Sequence, residues 1–490
     1  MRRVAIVGGG IAGLTAACEL AKLAREGAPV EAVLFESSQR LGGLLDTVRE
    51  GGFTIECGPD GWLSAKPWAR DLCTELGLAE ELIYSNDATR RTHIFLTTPD
   101  HPSGRLVAMP DGLNMIVPTD LAALEGSPLF SQAAIAAYRA EPARAAELLA
   151  SAPAQDESVA DFTLRHFGPE VLDRVAAPLL SGVFGGDARL LSVRAVMPAF
   201  VEMERTHGSL IAALQAKHTR EPQPIFTSLR SGLGALADRL AAAIPPHWIR
   251  RGTRVTALET HTPDTPPWIL HTASAGKHYG SETFDAVLLA TPLDITRSLL
   301  TPLDPDAASL LPAESSSAVL VAFAYADAAQ FPLPEGFGFL VPPRHADSDD
   351  PRASMLLACT FVDQKFPFRV PPGGRLIRAF FGGAAATRIA NCKNDEVAAI
   401  ARMELARILH STTPTAAHAP APPPVLTIVR RWPNSLPQYA VGHLDRVAEL
   451  ESRMRAMPSI AILGNALRGV GIPDLIRDAR RAARLIVEEN

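Results

Sequence analysis

Two glycine-rich turns carry the residues best suited to chemistry in this chain. The first sets glycines 8, 10 and 13 behind the β-branched run RRVAIV, and the second, GNALRGVGIPD, stands at residues 464 to 474. Glycine lets backbone N–H groups approach a ligand closely, and a helix starting just behind such a turn adds partial positive charge, so each turn is suited to an anion. Side chains offer less. Cys18, Cys57, Cys73, Cys359 and Cys392 are scattered without a C-x-x-C pair, which predicts small apolar residues in a reducing compartment rather than a disulfide or zinc site. No metal-ligand set and no catalytic triad is evident.

The first turn reads as a dinucleotide grip. Gly8 permits the tight turn, Gly10 lets the backbone approach a pyrophosphate, and Gly13 lets helix pack on strand, with Gly9, Ile11 and Ala12 completing the loop. Ile11, Leu14, Cys18, Ala21 and Ala24 then recur at helical spacing. A second apolar strand, EAVLFE, ends at Glu36, where a carboxylate can accept hydrogen bonds from a ribose. At the other end IAIL is a buried-strand run, Pro473 suits a first helical position, and Leu475, Ile476, Ala479, Ala482, Ala483 and Ile486 follow one helical face. If the first turn grips a pyrophosphate, the second is placed to hold the far end of the same extended cofactor.

The elements that must position these turns are spread over 490 residues, enough for two or three domains at roughly 150 residues each. A net charge of −6 gives no basic field for nucleic acid. The start imitates a secretion signal, but three consecutive glycines and Glu19 interrupt its apolar run. No apolar run reaches the ~20 residues of a membrane span, and a cytoplasmic protein is expected. Alanine-rich helical segments fill the region from about 113 to 217, where Ser158 and Asp161 form a capping box. Strand patterns return at RVTALE and FDAVLLATP, and AVLVAFAYA, SMLLACTFV and RLIRAFFGG suggest an antiparallel sheet. The tract TTPTAAHAPAPPP, 412 to 424, reads as a linker or exposed loop.

The stretch ESSQRLGG, with Arg40, Gly42 and Gly43, resembles the second glycine motif of the FAD-dependent amine oxidase and protoporphyrinogen oxidase superfamily. The resemblance implies FAD, with the arginine and glycines along its phosphates. Members often carry a basic residue next, whereas here Leu44 occupies that position. The turn Gly58, Pro59, Asp60, Gly61 matches one beside the flavin ring in the family, the alternative being a surface turn. Val255 matches a position whose backbone meets the adenine side of FAD, and reads equally well as a core valine. With FAD in place, GNALRGVGIPD would bring Asn465 and the backbone of Val470, Gly471 and Ile472 to the flavin edge that becomes negative on reduction. Asp474 opposes that effect unless its carboxylate points elsewhere or caps the helix.

Over nearly the whole chain the motifs PLLSGVFGGDARLLSVRA, GFGFLVPP, LACTFVDQKFP and RWPNSLPQYAVGHLDRV resemble the oxygen-dependent protoporphyrinogen and coproporphyrinogen oxidases. That resemblance implies an α/β plus α+β architecture: a Rossmann-like FAD-binding domain (1–87, 222–299, 425–490), a substrate domain with a mixed or antiparallel sheet (88–112, 300–424) and a helical insert (113–221). It implies a porphyrinogen substrate losing six electrons in three two-electron steps, with O2 reduced to hydrogen peroxide. By the same route Gly182 becomes the catalytic position, offering a carbonyl to the macrocycle. Phe337 and Leu340 become apolar substrate contacts, though they read as core residues without the resemblance. Propionates call for a cation, and alignment leaves Arg91 and His93 as alternatives. A haem-pathway enzyme is a compatible partner, and peripheral membrane contact is compatible with the helical insert but not predicted from it. Two other readings stay open: another flavoenzyme of this type, acting on a polyene or an amine, and a noncatalytic flavin-binding scaffold.

Overall fold

The computed structural model describes residues 1–216, 224–262, 265–274, 279–343, 355–410, 422–457 and 459–488. Its first layer is a parallel sheet of five strands in the order Ile249–Arg250, Val30–Phe35, Arg2–Val7, Ala286–Leu289, Ile460–Ile462. The N-terminal strand is central, and Val4, Ala5 and Ile6 are fully buried, as an apolar run covered on both faces requires. One face carries helix Ile11–Arg25 and the C-terminal helix Ile472–Glu488, whose Leu14, Ile476, Ala479 and Ala483 share one core. Arg480 and Arg484 fasten the two helices, both donating to Glu19 at 2.8 and 2.7 Å. The other face is covered by a three-stranded antiparallel sheet beginning at Thr253, which contributes Val255, Leu258, Trp268 and Leu270.

The second layer is a seven-stranded sheet ordered Leu426–Pro437, Ser315–Tyr325, Arg375–Gly382, Ala358–Phe361, Gly338–Leu340, Thr92–Thr98, His101–Ala108. Every pairing is antiparallel except that of Gly338–Leu340 with Thr92–Thr98. One face, with Phe95, Phe323, Phe339 and Phe381, packs on Val397, Ala401 and Leu405 of helix Asn394–His410. The opposite face meets Phe53, Ile55 and Cys57 beside Leu320 and Ala322, and meets the helical layer at Ile94 and Leu96.

Helices between Gln132 and Ala216 form that third layer. The capping box is present: Ser158 Oγ accepts from the Asp161 N–H at 3.0 Å and donates to its carboxylate at 2.7 Å. The run PEVLDRVAAPLL is helical but widens into a π-turn at Leu172–Ala176. Pro178 has no N–H to give back to the preceding turn, and a wider turn absorbs the missing bond. Most of the 412–424 tract lies outside the described residues, which resume at Pro422.

Candidate active site

Both glycine turns leave the carboxyl edge of the same parallel sheet, where doubly wound folds bind ligands. In the first, Gly8 has φ +110° and a Cβ there would lie 2.4 Å from the Ala290 carbonyl oxygen; at Gly13 it would lie 1.9 Å from that of Gly8. These two glycines are required by the protein itself. Gly10 is different. Its φ of −75° suits any residue, and the nearest atom a Cβ would meet is the Gly43 Cα at 3.9 Å. Among the described residues nothing accepts from the N–H groups of Gly10 or Ala12, while the parallel bridge between Gly10 and Gly42 turns the Ile11 N–H toward the Gly42 carbonyl. Open space before unpaired amides at a helix head is what a pyrophosphate needs.

Glu36, expected at a ribose, has both oxygens on backbone amides, Gly9 N–H at 2.8 Å and Ser38 N–H at 2.7 Å. It orders the loop. Gly42 N–H donates to the Gly9 carbonyl at 2.8 Å, and the Gly43 Cβ position lies 3.0 Å from the Gly10 Cα, so the second glycine motif lies directly on the first. Arg40, expected along phosphates, is folded over its own turn and donates to the carbonyls of Leu41 (3.2 Å), Leu45 (2.9 Å) and Gly43. Leu44 exposes its side chain, while its carbonyl oxygen lies 2.0 Å from where a Gly58 Cβ would be. Val255 is buried, in a strand that begins with Thr253 N–H on the Glu36 carbonyl at 2.9 Å.

In the second turn, Asn465 Nδ2 donates to the Ser435 carbonyl at 2.8 Å, and its own carbonyl accepts from the Tyr439 hydroxyl at 2.6 Å. Tyr439 stacks on His443 with ring centres 4.1 Å apart. The N–H groups of Val470, Gly471 and Ile472 have no acceptor among the described residues. Asp474 is ion-paired: its carboxylate is buried against Lys66 Nζ at 2.5 Å and Arg477 Nη1 at 3.3 Å. The head of the C-terminal helix therefore keeps its positive end.

The turn Gly58–Gly61 lies between the two. Burial alone would raise the Asp60 carboxyl, but Lys365, at 3.1 Å from both its oxygens, and Arg378, at 3.1 Å from one, hold it down at about 2. The same burial pulls Lys365 below the ordinary lysine range, against the pull of Asp60. Arg378 also donates to the Gly58 carbonyl, Ser228 Oγ to that of Asp60 at 2.7 Å, and Trp432 Nε1 to that of Cys57 at 2.6 Å. Sequence reasoning missed Lys365, Arg369 and Arg378. They lie in two short helical turns and a strand that carry no local sign of burial.

On the substrate side, Gly182 and Leu340 meet, since a Cβ on Gly182 would lie 2.9 Å from the Leu340 Cδ2. Gly182 is exposed at that contact. Phe337 N–H donates to the Arg91 carbonyl at 2.7 Å, and Arg91 is half-exposed with Glu335 at 2.7 Å. His93 does not join them. It pairs in register with Phe339, so it shares the helix-covered face of the sheet, opposite Leu340 and its partner Ile94. Burial pulls its pKa below the ordinary histidine value, so it stays neutral where a propionate would need a cation. A pocket of about 450 Å³ at the outer edge strand shares only Arg91 with these positions and lies among Arg105, Met109 and Glu125. Among the described residues no grouping of His, Cys, Asp and Glu suits a metal, and no helix is long and apolar enough to cross a membrane.

A family model described as flavin containing amine oxidoreductase matches residues 11–487. The chain belongs to that family. Among relatives of this amine oxidoreductase, coproporphyrinogen III oxidase of Bacillus subtilis is 31% identical, covering 98% of this chain and 97% of its own. Its Mycobacterium tuberculosis H37Rv counterpart is 30% identical over 99% and 98%. The solved structure of a protoporphyrinogen oxidase from Exiguobacterium sp. 255-15 superposes with a TM-score of 0.81 at 29% identity, covering 100% and 99%. Putrescine oxidase, at 16% identity and a TM-score of 0.65, shares the fold. Family membership makes the cofactor a flavin, the Rossmann-like sheet makes it the dinucleotide FAD, and the protein is an FAD-dependent oxidoreductase.

Proposed function

We propose that this chain oxidises coproporphyrinogen III to coproporphyrin III in haem synthesis, removing six electrons in three two-electron steps with O2 as acceptor and three molecules of hydrogen peroxide as product. The observation that supports this most is end-to-end similarity to coproporphyrinogen III oxidases. It is joined by the contact between Gly182 and Leu340, which brings backbone and an apolar side chain together instead of acid-base groups. FAD supplies acceptance of the hydride and reaction with oxygen.

The residues of the chain bind, orient and exclude water. The amides of Gly10 and Ala12 take the pyrophosphate, with Gly8, Gly9, Ile11, Gly13, Glu36, Arg40, Gly42, Gly43 and Leu44 shaping the loop around it. Gly58 to Gly61 spans the middle, Val255 lies toward the adenine end, and Asn465 with Val470 to Ile472 closes the flavin end. Leu340 and Phe337 give the macrocycle an apolar bed, which holds it flat against the reactive face. The Gly182 carbonyl receives a pyrrole N–H. Arg91, half-exposed and charged, is the propionate contact in preference to His93. The division into FAD-binding, substrate and helical parts follows the segments given above, and the product passes to a second haem-pathway enzyme in the cytoplasm.

Mixing the purified yellow protein anaerobically with coproporphyrinogen III and, separately, protoporphyrinogen IX tests this directly. Bleaching of the flavin is expected with both and faster with the coproporphyrinogen. Bleaching by an amine or a polyene alone would select another chemistry of this family, and bleaching by nothing would leave a flavin-binding scaffold.

A further inference from the structure

Beneath the turn Gly58–Gly61 lies a buried set of charges that does not cancel. Lys365, Arg369 and Arg378 face Glu56 and Asp60, and all but Asp60 are at most 8% exposed. Arg369 takes Glu56 at 2.6 Å, while Lys365 and Arg378 both rely on Asp60. The neighbouring arginines are matched one to one, Arg430 with Asp46 at 2.8 Å and Arg375 with Asp363 at 3.3 Å. One positive charge is thus left over among the described residues. Among the described residues the rings of Phe226, 4.1 Å from Nζ, and Phe366 also pack on Lys365 and bring no counter-charge. The Nε atoms of Arg369 and Arg378 are buried without a partner. An unmatched cation out of water is costly unless something anionic comes to meet it.

The segment above this charge runs from one glycine turn to the other. Gly58 abuts Leu44 and thereby Gly43 and Gly10, and Lys66 pairs with Asp474 at the head of the C-terminal helix. An FAD stretched between the turns must pass over Asp60. We propose that Lys365 and Arg378, against the single carboxylate of Asp60, form an electrostatic device that favours the reduced cofactor. Taking up a hydride, two electrons and one proton, leaves the ring system with one net negative charge, and the surplus buried cation is its counter-charge. Lys365 is a positioning charge in this scheme; it touches neither substrate nor oxygen. The inference rests on FAD lying between the two turns and is independent of which substrate reduces it.

A unit charge within about 10 Å, at an effective dielectric of about 20, changes such an equilibrium by about tenfold, which for a two-electron couple is about 30 mV. The test is the midpoint potential of the FAD-loaded protein, measured by dye-linked reductive titration. Lys365→Met is expected to lower it by about that amount, Lys365→Arg to restore it, and Asp60→Asn, which adds to the surplus, to raise it. A merely structural role would give no opposed pair of shifts. Equal potentials, or shifts of one sign in Lys365→Met and Asp60→Asn, overturn the proposal. Should Lys365→Met not fold, the upward shift in Asp60→Asn decides alone. Absence of FAD from the unaltered protein would instead overturn the reading of the two turns.

Discussion

Gly10 is the position where ligand and protein demands separate, so Gly10→Val isolates the ligand. The backbone there is extended, at φ −75° and ψ −177°, a conformation valine adopts readily, and its Cβ would find no described atom nearer than 3.9 Å. The apoprotein should therefore keep its stability to within about 0.5 kcal/mol, as at an unconstrained surface site. The branched side chain would stand where phosphate belongs. Overpacking of that kind costs about 1–3 kcal/mol, and at the upper end weakens FAD about 100-fold. At an FAD concentration about 100 times the dissociation constant of the unaltered protein, binding adds about 2.7 kcal/mol of stability. In the variant the same concentration would add only about 0.4 kcal/mol, from the same relation. Thermal unfolding of apoprotein with and without FAD reads both quantities. An apoprotein made markedly less stable by Gly10→Val, or one still retaining stoichiometric flavin, would refute the reasoning.

Gly13→Ala should behave oppositely, because its Cβ would lie 1.9 Å from the Gly8 carbonyl oxygen; a loss of about 1–3 kcal/mol is expected even without FAD, and an unchanged apoprotein melting temperature would contradict it. Gly182→Ala must displace Leu340 Cδ2 from 2.9 Å, so porphyrinogen turnover should fall while flavin content holds; unaltered kcat and KM would remove the pair from the site. Arg91→Ala breaks only a half-exposed pair with Glu335, so stability should hold within about 0.5 kcal/mol while KM rises more for a tetrapropionate than for a dipropionate substrate, and equal KM changes would return the propionates to another residue. Asp60 has its folded pKa depressed from 3.8 to about 2, so it contributes stability above about pH 4 that is lost as pH falls through about 2. That contribution is about 2 kcal/mol by linkage. The stability gap between the parent and Asp60→Asn should narrow over that interval, as denaturant midpoints measured at each pH would reveal.

What the sequence revealed was whatever it writes locally. The strand before Gly8, the helical spacing of Ile11 to Ala24, the capping box at Ser158 and the strand-turn-helix after Ile460 are short-range patterns, and each has its place in the fold. Strand parity was legible too, but its pairing was not. That His93 shares a face with Phe339 rather than Leu340 depends on a register between residues more than two hundred apart in the chain. The charge set around Asp60 was hidden for the same reason: Glu56 and Arg378 come from separate strands and Lys365 from a short helix, and a charged letter gives no sign that it will be buried. Glu36 was legible as the end of the second strand, while its attachment to the Gly9 amide emerges only when the loop has a shape.

The strand order of the parallel sheet has a consequence for how the molecule is made. Arg2–Val7 leaves the ribosome early, yet one of its two neighbours is Ala286–Leu289, and the edge strand beyond that is Ile460–Ile462. Helix Ile11–Arg25 likewise waits for Ile476, Ala479 and Ala483 to cover it. A nascent chain therefore exposes an oily half-layer through most of translation, the kind of intermediate that draws chaperones. Flavin loading waits for that late strand and helix, and trimming the helix should cost cofactor retention before it costs the central β-rich layer.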